Sequence, residues 1–331
     1  MKRITIVGMG AVGAFVAARL ALAGTPPRAL ARGATLAALR ERGVALQMAG
    51  ETHRLAIDAS DDPRALGEQD LVVVAVKAQS LPALAATLAP LIGRQTVVMP
   101  AMNGVPWWFL QTPALAPRFG GDAGRLASVD PDGATGAALP LDKVLGCVVH
   151  FTCSCPAPGE VLHGFGDKLI VGEPAGGASA RTDAVAALLR HAGFAVEASE
   201  DIRRDIWFKL WGNMTTNPIS ALTGATVDRI LDDPQVHDSM LQAMAEAREI
   251  GARIGCPIEQ SGEDRMIITR SLGAFKTSML QDAEAGRSLE IDALVGAVHE
   301  IGRRLGVETP AIGALLGLVR LMARGRGLYP A

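Results

Sequence analysis

Short apolar runs alternate with helically spaced apolar residues over the first 200 residues of the chain. The runs 4–7, 70–76 and 96–99 are rich in β-branched residues, as expected of strands buried on both faces of a parallel sheet. Residues 14–23 and 81–91 follow two of these runs with helical spacing. This alternation predicts an α/β fold whose N-terminal part is a Rossmann-type, doubly wound sheet.

The pattern continues more weakly toward residue 200. Strand-like runs resume after residue 143, and a helix and a further strand follow them. The segments are 144–151, 159–163, 168–171, 182–191 and 195–197. Residues 111–141 are rich in Gly, Pro, Ala and Asp with little periodicity, so we expect a long loop, partly mobile, that could serve as a lid.

Beyond residue 200 only helical spacing remains. The predicted helices are 203–222, 234–254, 263–284, 289–305 and 311–323. A chain of 331 residues exceeds the size at which one core usually keeps growing. We therefore predict two domains, a nucleotide-binding domain over 1–200 that includes the 111–141 excursion and an all-α domain over 201–331.

The first strand leads into the element Gly8-Met9-Gly10-Ala11-Val12-Gly13. A G-x-G-x-x-G element between a strand and a helix is typical of a dinucleotide-binding turn, in which the helix start meets a pyrophosphate. An ordinary glycine-rich turn is the weaker alternative.

The type of residue after the second strand indicates whether such a domain binds NAD(H) or NADP(H). An acid about 20 residues past the glycines would hold a ribose hydroxyl, whereas an arginine accommodates a 2′-phosphate. No acid occurs between Gly8 and Glu41, while Arg28 and Arg32 fall in this window. The sequence therefore favours NADP(H), with Arg32 as its ligand, unless these arginines are only solvated loop charges.

Composition narrows the class of protein. Hydrophobic residues make up 49% and charged residues 20% of the chain, and the formal charge is −2, which gives no reason to expect nucleic acid or membrane as a partner. The four cysteines lack zinc or disulfide spacing, so we expect thiols of a reducing compartment, a cytoplasmic protein and no metal site. No apolar run approaches the ~18 residues of a membrane span. A homodimer is left open.

Polar residues follow two predicted strands. Lys77 comes after the run 70–76, and Asn103 follows the run 96–99. Ligands of doubly wound sheets bind beyond the carboxyl ends of the strands, so both side chains are candidates to contact a nicotinamide ribose or a substrate. A strand-end charge and a turn residue are the alternatives.

A polar stripe crosses the first predicted helix of the second domain. Lys209, Asn213 and Asn217 are successively four residues apart on a segment crowded with large apolar side chains. Burying a lysine is costly unless it is paired or partly deprotonated, which is how proteins tune an amine for proton transfer. The alternative is a solvated pair between Asp205 and Lys209.

Further candidates are less specific. Glu290 and Asp292 follow a predicted helix stop at Gly286, so Glu290 is either an acid favoured at a helix start or a substrate ligand. His150 and His163 lie in predicted strands, where a lone histidine is more often structural than an acid or base.

These motifs together resemble the ketopantoate reductase family, also called 2-dehydropantoate 2-reductase. The resemblance runs in order over nearly the whole chain, and it is carried by the glycine element, Ala31-Arg32-Gly33, Val76-Lys77-Ala78-Gln79, Asn103-Gly104, Lys209 to Pro218, Ser278 to Asp282, and Glu290-Ile291-Asp292. It implies NADPH-dependent reduction of 2-dehydropantoate to pantoate, on the route to coenzyme A, by a Rossmann domain joined to a helical one.

The resemblance also implies roles for individual residues. Lys209 corresponds to the catalytic lysine and Glu290 to the partner of the substrate hydroxyl. Asn213, Asn217 and Ser278 correspond to substrate contacts, and Lys77 and Asn103 to contacts near the nicotinamide. In the implied mechanism, the Lys209 ammonium protonates the developing alkoxide.

Two positions depart from the family pattern. Val227 and Phe275 stand where members often carry asparagine, and Trp107-Trp108 also indicates a divergent branch. The substrate could therefore be a different small oxo acid. A non-catalytic NADP(H)-binding sensor is the competing class of function, although a sensor has no use for a proton donor such as Lys209.

Overall fold

The computed structural model describes residues 1–271 and 273–330 of the chain. Its strands are β1 (Ile4–Val7), β2 (Arg28–Leu30), β3 (Val44–Met48), β4 (Glu51–Leu55), β5 (Ala59–Ser60), β6 (Leu71–Val74), β7 (Val97–Pro100), β8 (Gly146–Ser154), β9 (Glu160–Gly172) and β10 (Ala195–Ala198).

Helices connect and follow these strands. They are α1 (Ala11–Leu22), α2 (Gly33–Arg42), α3 (Pro63–Leu66), α4 (Leu81–Ala85), α5 (Ala134–Ala138), α6 (Ala180–His191), α7 (Ile202–Thr223), α8 (Val227–Asp232), α9 (Pro234–Arg253), α10 (Gly262–Arg270), α11 (Ser278–Glu284), α12 (Ala297–Leu305) and α13 (Pro310–Gly325). Four 3₁₀ segments (Ala78–Ser80, Ala86–Leu91, Ala116–Asp122 and Leu141–Lys143) and a π-helix (Asp292–Gly296) complete the elements.

The chain forms two compact units. The first contains Met1–Met102, Gln111–Ala114 and Asp132–Asp205, and the second contains Asn103–Leu110, Leu115–Pro131 and Ile206–Ala331. Within helix α7 the division falls at Asp205, close to the expected boundary at 200. The segments 103–110 and 115–131, however, group with the second unit, whereas the sequence had placed them in the first domain.

The first unit contains two sheets. One is parallel, with the order β5-β2-β1-β6-β7, and it is the doubly wound sheet that the sequence predicts. In the other, β10, β9, β3 and β4 are neighbours and β8 pairs with β9. Helix α1 packs on both sheets, and its residues from Gly13 to Ala18 are buried. This double packing explains why α1 is made of small and apolar residues on nearly every face.

The second unit is helical except for its short inserted segments. Its core is formed by large side chains of α7, α9, α12 and α13, including Trp207, Trp211, Met244, Ile301 and Val319. No helix within the described residues is both long and apolar enough to cross a membrane.

The segment 111–141 is not a loop without structure, as the sequence suggests. It contains the 3₁₀ segment Ala116–Asp122 and α5, and Leu115, Leu126 and Leu139 are buried, whereas its mobility stays a prediction. The Glu300 carboxylate accepts hydrogen bonds from the backbone N–H groups of Ala127 (2.9 Å) and Ser128 (2.8 Å). Glu300 lies far from this segment in the sequence. Hydrogen bonds that satisfy backbone groups from such a distance cannot be inferred from local periodicity.

Other boundaries also differ from the predictions. Strand β9 is continuous where two strands were expected, and the predicted helix 263–284 is two helices, α10 and α11. The predicted helix 289–305 begins with the π-helix, and α8 was not predicted.

Candidate functional site

The turn between β1 and α1 depends on two glycines that tolerate no side chain. Gly8 has φ +91°, and a Cβ on it would lie 2.6 Å from Cγ1 of Val76. A Cβ on Gly13 would lie 2.0 Å from the carbonyl oxygen of Gly8. The tight turn and the close packing of helix on strand, which the motif predicts, are therefore both present.

Gly10 differs from Gly8 and Gly13 because a side chain on it would extend into open space. It is the exposed N-cap of α1, and a Cβ on it would meet no heavy atom of the described residues within 4 Å. The first N–H groups of a helix have no partner within the helix. Ala11 and Val12 are partly exposed there, whereas the Met9 side chain is buried, so Met9 can offer a ligand only its backbone. The turn is suited to hold a pyrophosphate.

The structure separates the roles of the two candidate arginines. Arg28 donates to the carbonyl of Leu66 (3.1 Å) and pairs with Asp58 (3.4 Å). Arg32 is the exposed N-cap residue of α2, two residues after the end of β2, and its side chain makes no hydrogen bond or ion pair with any described residue. Arg32 is thus available to an anionic ligand, and Arg28 already serves the fold.

Lys77 lies at the N-cap of the 3₁₀ segment Ala78–Ser80, just beyond β6. Its side chain is partly buried, and its carbonyl accepts a hydrogen bond from the N–H of Ser80 (2.9 Å). It occupies the carboxyl end of a central strand, the position expected of a ligand-binding residue in this sheet.

The second unit brings Asn103 and Lys209 together. The Nζ atom of Lys209, on α7, donates to Oδ1 of Asn103 at 2.9 Å, and both residues are partly buried. An amide oxygen accepts from an ammonium without neutralising it. The sequence pointed to each residue separately, but it contained no sign that they are direct partners.

The rest of α7 explains the polar stripe. The opposite face carries Trp207 and Trp211, whose indole N–H groups donate to the carbonyls of Ala247 (3.2 Å) and Met244 (2.8 Å). Asn213 is partly buried and Asn217 is buried, one and two turns beyond Lys209. Lys209 is itself partly buried, and the Asp205 carboxylate accepts a hydrogen bond from the Ser199 hydroxyl, so the alternative of a solvated pair between Asp205 and Lys209 is wrong.

Trp107 and Trp108, whose role the sequence left unexplained, are core residues of the second unit. Both are buried, and the next residue, Phe109, stacks on Trp207 with ring centroids 5.9 Å apart. They anchor the segment that carries Asn103.

Ser278 and Glu290 lie at helix starts. Ser278 is the exposed first residue of α11, after Thr277, whose hydroxyl caps the helix. Glu290 is partly buried, and its carbonyl accepts from the N–H of Leu294 (3.3 Å). Asp292, by contrast, binds the side chains of Arg320 and Tyr329.

The two departures from the family pattern are neighbours in space. The N–H of Val227 donates to the carbonyl of Phe275 at 3.1 Å, and the Val227 side chain is fully buried while that of Phe275 is partly buried. Where the family pattern often has two asparagines, this chain has two apolar residues whose backbones are hydrogen-bonded to each other.

Histidines and cysteines have roles apart from these residues. Nε2 of His163 lies 2.7 Å from the carbonyl of Gly166 and its ring stacks on Phe15, so His163 is structural, as expected. No disulfide joins the four cysteines, all of which lie in the described part of the chain. Burial and the neighbouring Cys155 raise the pKa of Cys153 to about 12. Among the described residues no cluster of His, Cys, Asp and Glu could hold a metal ion.

Sequence reasoning missed the cluster of Asp292, Arg320 and Tyr329 near the C-terminus. Its one available signal was that Tyr329 is the single tyrosine of the chain.

Comparisons with known proteins identify the family of the chain. Residues 4–176 match the family model "Ketopantoate reductase PanE/ApbA", and residues 201–323 match its C-terminal counterpart. A protein of Mesorhizobium japonicum named 2-dehydropantoate 2-reductase is 42% identical over 99% of both chains. The crystal structure of a candidate ketopantoate reductase from Ralstonia solanacearum is 60% identical, covers 99% of both chains and superposes with a TM-score of 0.94.

The fold extends to another dehydrogenase. A structure of D-mandelate dehydrogenase with NADH and anilino(oxo)acetate has a TM-score of 0.84 at 19% identity, covering 98% of this chain and 99% of that one. At that identity the likeness concerns the fold alone. The family models and the full-length relative go further, and the chain belongs to the ketopantoate reductase family of oxidoreductases.

Proposed function

We propose that this protein reduces 2-dehydropantoate, or a closely related 2-oxo acid, to the 2-hydroxy acid with NADPH. The observation that carries the proposal is the hydrogen bond between Lys209 Nζ and Asn103 Oδ1, which holds an ammonium group in a partly buried place. The full-length similarity to a protein named 2-dehydropantoate 2-reductase supports the choice of substrate.

In the reaction, the substrate carbonyl becomes an alcohol. When bound, NADPH supplies the hydride that reaches the keto carbon. The Lys209 ammonium donates a proton to the carbonyl oxygen as negative charge develops on it, and the neutral amine then regains a proton from water. Asn103 orients the ammonium, and the Glu290 carboxylate accepts a hydrogen bond from the new hydroxyl. Asn213, Asn217 and Ser278 contact the substrate.

The first unit binds the cofactor in this proposal. The N–H groups at the start of α1, around Gly10, hold the pyrophosphate, and Arg32 pairs with the 2′-phosphate. Lys77 contacts the nicotinamide ribose. The unpaired state of Arg32 among the described residues supports NADPH over NADH. Four cysteines without a disulfide among them support a reducing compartment such as the cytoplasm.

A different 2-oxo acid is the second candidate, and the contact between Val227 and Phe275 favours it. Apolar side chains at both positions cannot hydrogen-bond the hydroxyl of 2-dehydropantoate. They would instead accommodate an apolar side chain, because burying apolar area contributes roughly 25 cal/mol per Å².

The test is a panel of 2-oxo acids that includes 2-dehydropantoate and analogues with apolar side chains. NADPH oxidation by the purified protein is followed by absorbance, with Lys209→Ala as the matched inactive control. We expect the highest kcat/KM for 2-dehydropantoate or for an apolar analogue. Failure to oxidise NADPH with any member, while NADPH still binds, would favour the sensor.

A further inference from the structure

A cluster of side chains joins α13 and the C-terminal residues to the start of the π-helix. The Tyr329 hydroxyl donates to Oδ2 (2.8 Å) and lies 2.9 Å from Oδ1 of Asp292. Arg320 also donates to Oδ1 of Asp292, and its guanidinium lies 5.7 Å from the centre of the Tyr329 ring. All three side chains are partly buried. The Asp292 carboxylate is thus held by both Arg320 and Tyr329.

The π-helix begins at Asp292, and a glycine in it shows how closely the cluster packs. A Cβ on Gly296 would lie 3.1 Å from Oδ1 of Asp292 and 3.2 Å from a terminal nitrogen of Arg320. π-turns inside α-helices occur frequently at functional sites. Here the turn packs under an ion pair that fixes its first residue.

The π-helix in turn contacts the segment that carries Asn103. The carbonyl of Ala293, the residue after Asp292, accepts a hydrogen bond from the N–H of Val105 at 2.8 Å. Gly104 has φ +85°, and a Cβ on it would lie 2.5 Å from that same carbonyl oxygen. The close approach therefore requires glycine, and it leaves little freedom to the preceding residue, Asn103.

Asn103 accepts the hydrogen bond from Lys209. We propose that Asp292, Arg320 and Tyr329 are positioning residues, which hold the π-turn so that Ala293 and Gly104 place Asn103 against the Lys209 ammonium. The inference rests on the proposed function in one respect, that Lys209 is the proton donor. A displacement of ~1 Å at a reacting group can cost about 10²-fold in rate.

The charges around Tyr329 favour its protonated form, which donates the hydrogen bond to Asp292. Burial, followed by the hydrogen bond to Asp292 and its charge, raises the pKa of Tyr329, although Arg320 and Arg324 oppose this effect. Although burial alone would lower the pKa of Arg320, the hydrogen bond to Asp292 and the Asp292 charge raise it. Both groups therefore keep their protons through the neutral range, and the cluster is a fixed support.

The kinetic test is a double-mutant cycle between Tyr329→Phe and Asn103→Ala. We expect Tyr329→Phe to lower kcat by roughly 10-fold or more in the wild-type background, with KM for NADPH nearly unchanged. In the Asn103→Ala background the same change should have little effect, because the group it positions is gone. Equal losses in both backgrounds, or no loss in either, would overturn the proposal.

The matched control is Glu246→Gln. The Glu246 carboxylate accepts from the N–H groups of Ala311 (2.8 Å) and Ile312 (2.9 Å), so the change weakens α13 at its other end. If stability alone mattered, this variant would lower kcat as Tyr329→Phe does. We expect it to lower the unfolding temperature and leave kcat unchanged.

Two measurements need no activity. Because Tyr329 is the single tyrosine, tyrosinate absorbance reports on it alone, and Asp292→Asn should lower its pKa. Hydrogen exchange at the Val105 amide should become faster in Tyr329→Phe. If exchange becomes faster but Lys209→Ala is fully active, the link between the Asp292 cluster and the segment of Asn103 is supported. In that case Lys209 is not the proton donor. Unchanged exchange and kcat in Tyr329→Phe, with Lys209→Ala inactive, would reject only this inference.

Discussion

The glycine turn after β1 and the Lys209 region of α7 are built in opposite ways. The turn is a contiguous backbone feature, in which Gly8 and Gly13 exclude side chains and Gly10 leaves space for a ligand. The Lys209 region is made of side chains, and its central hydrogen bond joins residues 106 positions apart. The turn should therefore fail when atoms are added, and the Lys209 region when atoms are removed.

The largest effect is expected from removing the ammonium. Lys209→Ala should lower kcat and kcat/KM together by ~10²–10⁴-fold, because a general acid acts mainly in the transition state. NADPH affinity should barely change. Lys209→Arg should restore little, since a guanidinium keeps its charge but does not readily release a proton.

Lys276 offers a matched control for this prediction. Its Nζ atom pairs with Glu284 at 2.7 Å in the same unit, on an exposed surface. Lys276→Ala should leave kcat unchanged. Full activity of Lys209→Arg in steady-state kinetics would show that charge alone, and not proton donation, is required.

Adding one methyl group should distinguish the glycines. Gly13→Ala places a Cβ against the Gly8 carbonyl and should lower the free energy of unfolding by about 1–3 kcal/mol or more, the usual cost of overpacking. Gly10→Ala should cost at most about 1 kcal/mol, as alanine replaces glycine at an N-cap, but should weaken NADPH binding. Urea unfolding and NADPH titration measure both. Equal destabilisation by the two variants would contradict this division.

Removing Arg32 tests the cofactor without disturbing the fold. Arg32→Ala should weaken NADPH binding by roughly 10–150-fold, the loss of a hydrogen bond to a charged group, and leave NADH binding unchanged. Arg28→Ala is the control, because Arg28 donates to Leu66 and should affect stability only. Equal losses for both cofactors in Arg32→Ala would exclude a 2′-phosphate contact.

The glycine turn is built from neighbouring residues and the Lys209 region from distant ones. This difference also explains which features could be predicted from the sequence. The turn was predictable because strand, glycines and helix lie within about 20 consecutive residues and each obeys a local rule. The hairpin of β3 and β4 was not. Its turn residues Ala49 and Gly50 both have positive φ, a turn that asparagine or aspartate usually signals, and β4 is a polar strand.

The Lys209 region was predictable only in part. Spacing placed Lys209, Asn213 and Asn217 on one helix face, and the position after the predicted strand 96–99 pointed to Asn103, but no local pattern pairs residues from distant segments. The π-turn at Asp292 was likewise hidden, because helical periodicity over 289–305 does not reveal one extra residue in a turn.

The smallest effect concerns a long-range side-chain anchor near the glycine turn. Asp70 accepts hydrogen bonds from the backbone N–H groups of Lys2 (2.7 Å) and Arg3 (3.1 Å), and thereby holds the chain entering β1. These bonds, with help from the Arg3 side chain, lower the pKa of Asp70 from 3.8 to about 2. A depressed carboxylate pKa stabilises the fold above the unfolded value, and the contribution disappears as the pH falls through the folded value.

Asp70→Asn measures this contribution. The Asp70 side chain is 32% exposed and that of Arg3 is 61% exposed, so solvent screening should limit the loss of unfolding free energy to ~1 kcal/mol at neutral pH. The difference between wild type and variant in urea unfolding should stay constant down to about pH 4 and shrink steadily below it. A difference that grows on acidification would have the wrong sign for a depressed pKa. In that case Asp70 would not anchor β1 through its charge, and the turn would depend on its backbone alone.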